Sequence, residues 1–185
     1  MFVQDVLSRD ETGHAGDPET LDEIGTPDRT LWEIQAELLS GAGSGDAVEA
    51  DPLLKHIRTR VTDEGLIIEV FDIEGSPLFV PDTAVANPIL DQLLDMIGRV
   101  LSRTANPVAV TGHLAASDIG PAGPDPWSLS GDRAQLSRAL VVAGGVSDTR
   151  ISRVTGKADR HPVGDGVEDD RNRRIEITLL RRFDS

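Results

Sequence analysis

Two short stretches carry the residues best suited to chemistry: Trp127-Ser128-Leu129-Ser130-Gly131-Asp132-Arg133-Ala134 and Arg171-Asn172-Arg173-Arg174-Ile175-Glu176-Ile177. The first reads as a helix start around Leu129-Ser130 with an arginine one turn in. Such a start presents unpaired backbone N–H groups and the positive end of a dipole to any nearby anion. The guanidinium of Arg133 adds a planar fork that grips a carboxylate bidentately. The second stretch is a basic turn opening a strand. Strand alternation turns Arg173 and Arg174 to opposite faces, so one can meet a ligand while the other pairs with an acid. An ordinary charged strand edge is an equal reading of that turn, and an i,i+4 surface pair competes for Arg133. Carboxylate capture is the chemistry these residue types support.

Other constellations carry less. His113, Asp118, Asp159 and His161 lack the short, regular spacing of metal ligands, and no metal is expected. Ser130 with His113 and Asp118 lacks the Gly-x-Ser-x-Gly elbow, and capping its own helix is its natural role. No enzymatic activity and no cofactor are expected. Asp165, Glu168, Asp169 and Asp170 lack the glutamate that closes a calcium loop and read as a solvated charged loop.

The elements that must position these residues follow from periodicity. Residues 1–27 are rich in acids, Gly and Pro and read as an irregular lead-in. A helix is expected from Asp28 to Leu39, capped by Asp28, with Leu31, Ile34 and Leu38 on one face. Gly41 to Gly45 is a flexible break. A second amphipathic stretch runs from about Ala47 to Val61, with Leu53, Leu54, Ile57 and Val61 on one side. From Gly65 the folded part begins with the strand Leu66 to Asp72, a nearly continuous apolar run. Asp82 is expected to cap a long helix to Arg103, with Pro88 in its early turns. Pro107 to His113 is a strand, Leu114 to Ser128 a loop, and Leu129 to Ala143 a helix ended by Gly144-Gly145. Ile151 to Gly156 and Arg173 to Leu180 complete the strands. The fold class is α/β, in the order β-α-β-α-β-β, with helices packed on a mixed sheet. Residues 1–50 are assigned to an acidic, partly helical linker and 51–185 to the domain.

Charge is uneven along the chain. Of a net −14, residues 1–50 contribute −10, from 12 acids and 2 arginines, which suits a solvated linker. An acidic chain of this kind is not expected to bind nucleic acid, which needs a basic footprint. There are no cysteines, so disulfides and thiolate chemistry are excluded. No stretch has the roughly 20 apolar residues needed to span a bilayer, and the first residues do not form a signal peptide.

Taken together, these motifs resemble the OmpA-like peptidoglycan-binding family and, within it, the MotB group of flagellar stator proteins. The resemblance rests on Gly112-His113, on Leu129-Ser130-x-x-Arg133-Ala134 and on Asn172-Arg173-Arg174-Ile175-Glu176-Ile177. Trp127, the strand Gly65 to Asp72 and the segment Val154 to Pro162 resemble the stator group in particular. About residues 53 to 182 are covered. The resemblance implies a non-catalytic module that anchors to the cell wall, with Arg133, Leu129, Ser130, Asn172 and Arg173 at a peptidoglycan site. In the family, the arginine holds the carboxylate of diaminopimelate and an aspartate holds its amino group. That aspartate falls here on Ala115, and the family's asparagine before Leu-Ser falls on Pro126. Asp118 or Asp125 can replace the missing acid only if the loop folds back. The resemblance further implies a periplasmic fragment of an inner-membrane protein, a homodimer, and a MotA-like membrane partner bound through a membrane helix outside this sequence. Two alternatives stay open: another OmpA-like envelope protein, or an interaction module of this fold with lost or altered peptidoglycan binding.

Overall fold

The computed structural model describes residues 26–40, 52–163 and 169–182. The expected lead-in up to residue 25, the Gly41 to Gly45 break, and Asp165 and Glu168 of the acidic loop lie outside them. The elements run α1 (Thr26–Leu39), β1 (Ile57–Val61), β2 (Gly65–Phe71), α2 (Pro88–Leu101), β3 (Val108–His113), α3 (Pro126–Ala143), β4 (Ile151–Gly156) and β5 (Arg174–Leu180). The strands form one sheet in the order β1-β2-β5-β3-β4. Only β3 and β4 are parallel, so the sheet is mixed, as the sequence predicts.

Alternation sorts the strand residues to two faces. Leu66, Ile68 and Val70 of β2, Val108 and Val110 of β3, and Ile175, Ile177 and Leu179 of β5 are buried together. Against them pack Leu90, Leu93, Leu94, Ile97 and Leu101 of α2, spaced for one helical stripe. α1 adds Leu31, Ile34 and Leu38 to the same core. Its Gln35 also donates a hydrogen bond to Thr59 of β1 at 2.7 Å. A helix read from sequence as part of a linker therefore lies on the sheet. It starts at Thr26, so Asp28 sits inside it rather than at its cap.

Three boundaries differ from the sequence expectation. From Pro52 on, the stretch read as a second helix is a short 3-10 turn, Pro52–His56, followed by β1; its first residues, 47–51, lie outside the described residues. Leu53, Leu54, Ile57 and Val61 have helical spacing, but Ile57, Thr59 and Val61 also alternate with Arg58 and Arg60. Pairing with β2 selects the strand. The helix expected from Asp82 begins instead at Pro88, with Asn87 before it, because proline fits the first helical position. Asp82 lies in the preceding loop with φ of 57°, a left-handed conformation Asp tolerates. Finally, α3 begins at Pro126, not Leu129, and its cap is Asp125, whose carboxylate accepts from the Ser128 amide at 2.8 Å. The Leu129-Ser130 amides thus lie within the helix, and Arg133 sits two turns in.

α3 lies close on β3 and β4 at two glycines. A Cβ on Gly112 would stand 2.2 Å from the Ser130 carbonyl oxygen, and one on Gly156 would stand 2.5 Å from the Gly131 amide nitrogen. Only glycine permits that approach. It fixes the height of Arg133 above the strand ends.

Candidate functional site

A cleft of about 370 Å³ opens where β2 ends, β3 ends and β5 begins, beside α3. Arg133, Arg173, Asp118, Asp72, Asp82 and Asp170 all line it, with Phe79 as an apolar wall. They arrive from α3, the ends of β2 and β3, the loop before α2 and the turn before β5, which carries both Asp170 and Arg173. Asp72 follows the last residue of β2, and its Oδ1 accepts from the Leu78 amide at 2.8 Å, which draws residues 73–87 back over the sheet end. Arg133 then pins that loop: its Nε donates to the Thr83 carbonyl at 2.8 Å, and its guanidinium lies 4.7 Å from the Phe79 ring centre. Its two Nη groups have no hydrogen-bond partner among the described residues, although the residue is only 5% exposed. They are available to a ligand in the cleft.

Asp118 reaches the site from the 3-10 turn Ala116–Asp118 after β3. Its Oδ2 accepts from the Ala115 amide at 3.2 Å and its Oδ1 lies 3.4 Å from Arg173 Nε. A carboxylate thus stands beside the main chain of Ala115, whose own methyl is fully buried. Arg173 is held among acids, 3.5 Å from Asp72 and 3.4 Å from Asp170. Its Nη1 is buried without a hydrogen bond.

The cleft is more acidic than a simple arginine clamp. Two arginines face Asp72, Asp82, Asp118, Asp170 and Glu74. Burial raises the Asp72 carboxyl to about 6, against the opposing pull of the Leu78 N–H and Arg173. Burial likewise lowers the pKa of Arg133, and the charges of Asp118, Asp72 and Asp82 oppose that shift. Arginine remains charged regardless.

Leu129, Ser130 and Asn172 lie outside the cleft lining. Leu129 is buried. Ser130 Oγ donates to the Trp127 carbonyl and accepts from the Ala158 amide at 3.0 Å. The fully buried Ser130 thereby braces Ala158, which has φ of 47°. Asn172 Oδ1 accepts from the Val163 amide at 2.7 Å. These contacts hold the 158–163 segment, Asn172 doing so from the turn that carries Asp170 and Arg173. Asp125 is occupied as the α3 cap. His113 and His161 rings lie 6.3 Å apart, and no group among the described residues is arranged to hold a metal.

The sequence reading does not assign Asp72, Asp82, Asp170 or Phe79 to the site. An acid ending an apolar strand was the available signal for Asp72. Asp82 was hidden by its plausibility as a helix cap.

Residues 78–176 match the OmpA family, which is more than half of the chain, and the chain belongs to that family. Within it, the chain is 32% identical over 142 residues to Motility protein B of Escherichia coli K12, covering 73% of this chain and 46% of that protein. The chain therefore spans about half the length of the curated relatives it matches. Among solved structures, a putative MotB-like protein from Desulfovibrio vulgaris superposes with a TM-score of 0.64 at 18% identity, covering 84% of this chain and 97% of that one. The cell wall anchor of the type VI secretion system from Pseudomonas aeruginosa gives 0.57 at 26% identity, covering 69% and 90%. The five-stranded mixed sheet with helices on one face is the fold of this group. No helix among the described residues is long and apolar enough to cross a membrane.

Proposed function

We propose that this chain is a non-catalytic, periplasmic cell-wall anchoring domain of a MotB-like stator protein, and that its cleft binds a peptidoglycan stem peptide. The observation that carries the reading is the pairing of Arg133, with free Nη donors, and Asp118, folded back over Ala115 in the same cleft. Arg133 grips the carboxylate of the diaminopimelate residue, and its contact with Phe79 and Thr83 sets the plane of the fork. Asp118 receives the ammonium group, with Asp82 and Asp72 extending the acidic side. Arg173 orients Asp118 and Asp72 by standing between them. Leu129, Ser130 and Asn172 act by holding the surrounding loops. As in the stator group, the domain works as a homodimer joined to a membrane helix that engages a MotA-like partner.

Sedimentation with purified peptidoglycan tests the site. The unaltered chain co-sediments, Arg133→Ala releases it, and Asp118→Asn weakens it about tenfold, as expected for one charge-assisted contact. Retention of both folded variants on the cell wall would remove the cleft from the reading. Analytical ultracentrifugation across protein concentration tests the dimer.

A further inference from the structure

The sheet face opposite the helices carries polar groups in register. Pairing aligns Arg58, Glu69, Glu176, Thr111 and Thr155 across one row. The next row holds Arg60, Ile67, Thr178, Ala109 and Arg153. A third pairs Arg174 with His113, and Lys157 follows on from β4. No helix packs on this face among the described residues, yet its centre is deeply sunk: Arg174 and His113 are each 4% exposed and Thr178 is 5% exposed. A cavity of about 590 Å³ lies over them, walled at one end by His161, Pro162 and Val163.

Hydrogen-bonding capacity in this cavity is unfilled. Arg174 donates through Nε and Nη2 to Glu176, but its Nη1 is buried with no partner. Neither ring nitrogen of His113 makes a hydrogen bond; Nε2 approaches Glu176 at 3.4 Å without suitable geometry. Buried donors without partners are uncommon in native proteins, and each calls for an explanation. Burial opposes ionisation of Glu176, but neighbouring His113 and Arg174 outweigh it and hold its pKa down to about 2. That acid is therefore already matched by Arg174. Arg60 is similarly paired with Glu69, and Arg153 with Glu64. Lys157 has no acidic partner among the described residues. The unfilled capacity is thus donor-rich, with Lys157 as its uncompensated charge and the hydroxyls of Thr111, Thr155 and Thr178 beside it.

We propose a second binding site on this open sheet face, for a sugar-sized ligand bearing a phosphate or carboxylate. The oxyanion sits against Arg174 Nη1, the His113 ring N–H and the Lys157 ammonium, and the threonine hydroxyls meet the ligand's hydroxyl groups. The volume exceeds what one inorganic oxyanion fills and lies in the range of ordinary small-molecule pockets. This site is separate from the Arg133 cleft, on the other side of the sheet.

Calorimetric titration of the full chain with glucose 6-phosphate, glucuronate and glucose tests it, with amide shifts followed by NMR. Saturable one-to-one binding of either acid, absence of glucose binding, and shifts centred on Thr111, His113, Lys157 and Arg174 are expected. Lys157→Glu, at a partly exposed position, should weaken binding about tenfold or more. Arg99→Glu on α2 makes the same charge change far from the cavity and should leave binding unaltered. Binding of only one acid identifies the oxyanion and supports the site. No saturable binding of either acid, equal binding by Lys157→Glu, or shifts centred on Arg133 would overturn it.

Discussion

Asp72→Asn should make this protein more stable at neutral pH and weaken its cleft, and the size of the first effect can be worked from the structure. Asp72 is 9% exposed, and burial lifts its carboxyl from an ordinary 3.8 to about 6. A raised carboxyl pKa means that the folded state holds the proton more tightly than the unfolded chain. Below 3.8 both states are protonated and the group contributes no pH dependence. Between 3.8 and about 6 only the folded state keeps the proton, so stability falls as pH rises. Above 6 the full cost of the buried charge is present, about 3 kcal/mol for this separation of pKa values. Asparagine keeps the Oδ1 acceptor for the Leu78 amide but never ionises. Arg173 retains Asp118 and Asp170, so loss of its Asp72 contact returns only part of the gain. Urea unfolding of both proteins at pH 4, 5, 6 and 7.5 isolates the residue by difference. The two should agree near pH 4, and the variant should lead by about 1–3 kcal/mol at pH 7.5. An ammonium-bearing peptide should bind the unaltered chain more tightly above pH 6 than below it, with that dependence reduced in the variant. A stability difference that does not change with pH would refute the reasoning.

Other expectations concern the supports of the site. Ser130→Ala leaves the Ala158 amide without its buried acceptor and should cost about 1–3 kcal/mol in urea unfolding; no loss would mean that the left-handed Ala158 is held otherwise. Gly112→Ala forces a methyl toward the Ser130 carbonyl and should cost about 1–3 kcal/mol, with amide shifts along α3 and β3. Leu38→Ala empties a fully buried position between α1 and the sheet and should cost about 2–5 kcal/mol. An unchanged midpoint for that variant would mean that α1 does not pack on the domain in solution.

Long periodic segments were legible in the sequence, and short ones open to two readings were not. The stripe of α2 and the alternation of β5 follow from spacing, and β2 and β3 follow from runs whose burial is nearly uniform along the strand. β1 was misread because five residues can satisfy a helical and a strand period at once, and only its neighbour decides. The start of α3 was misplaced by one turn because Ser130 has the chemistry of a cap, while Asp125-Pro126 a turn earlier has both cap and first-turn residue. At the cleft, the opposite facing of Arg173 and Arg174 follows from alternation alone. Asp72 and Asp82 could not be found that way, since a loop of some fifteen residues brings them to Arg133 and no local period encodes that fold-back.

The sheet order has a mechanical consequence. Within the sheet, β5 joins the pair β1-β2 to the pair β3-β4, antiparallel to both of its neighbours. Neither half can separate from the other without rupturing a full ladder, from Gly65–Leu180 to Phe71–Arg174 on one side or from Val108–Leu179 to His113–Arg174 on the other. Parting the two halves of the sheet therefore breaks six or seven consecutive residue pairings of a central strand.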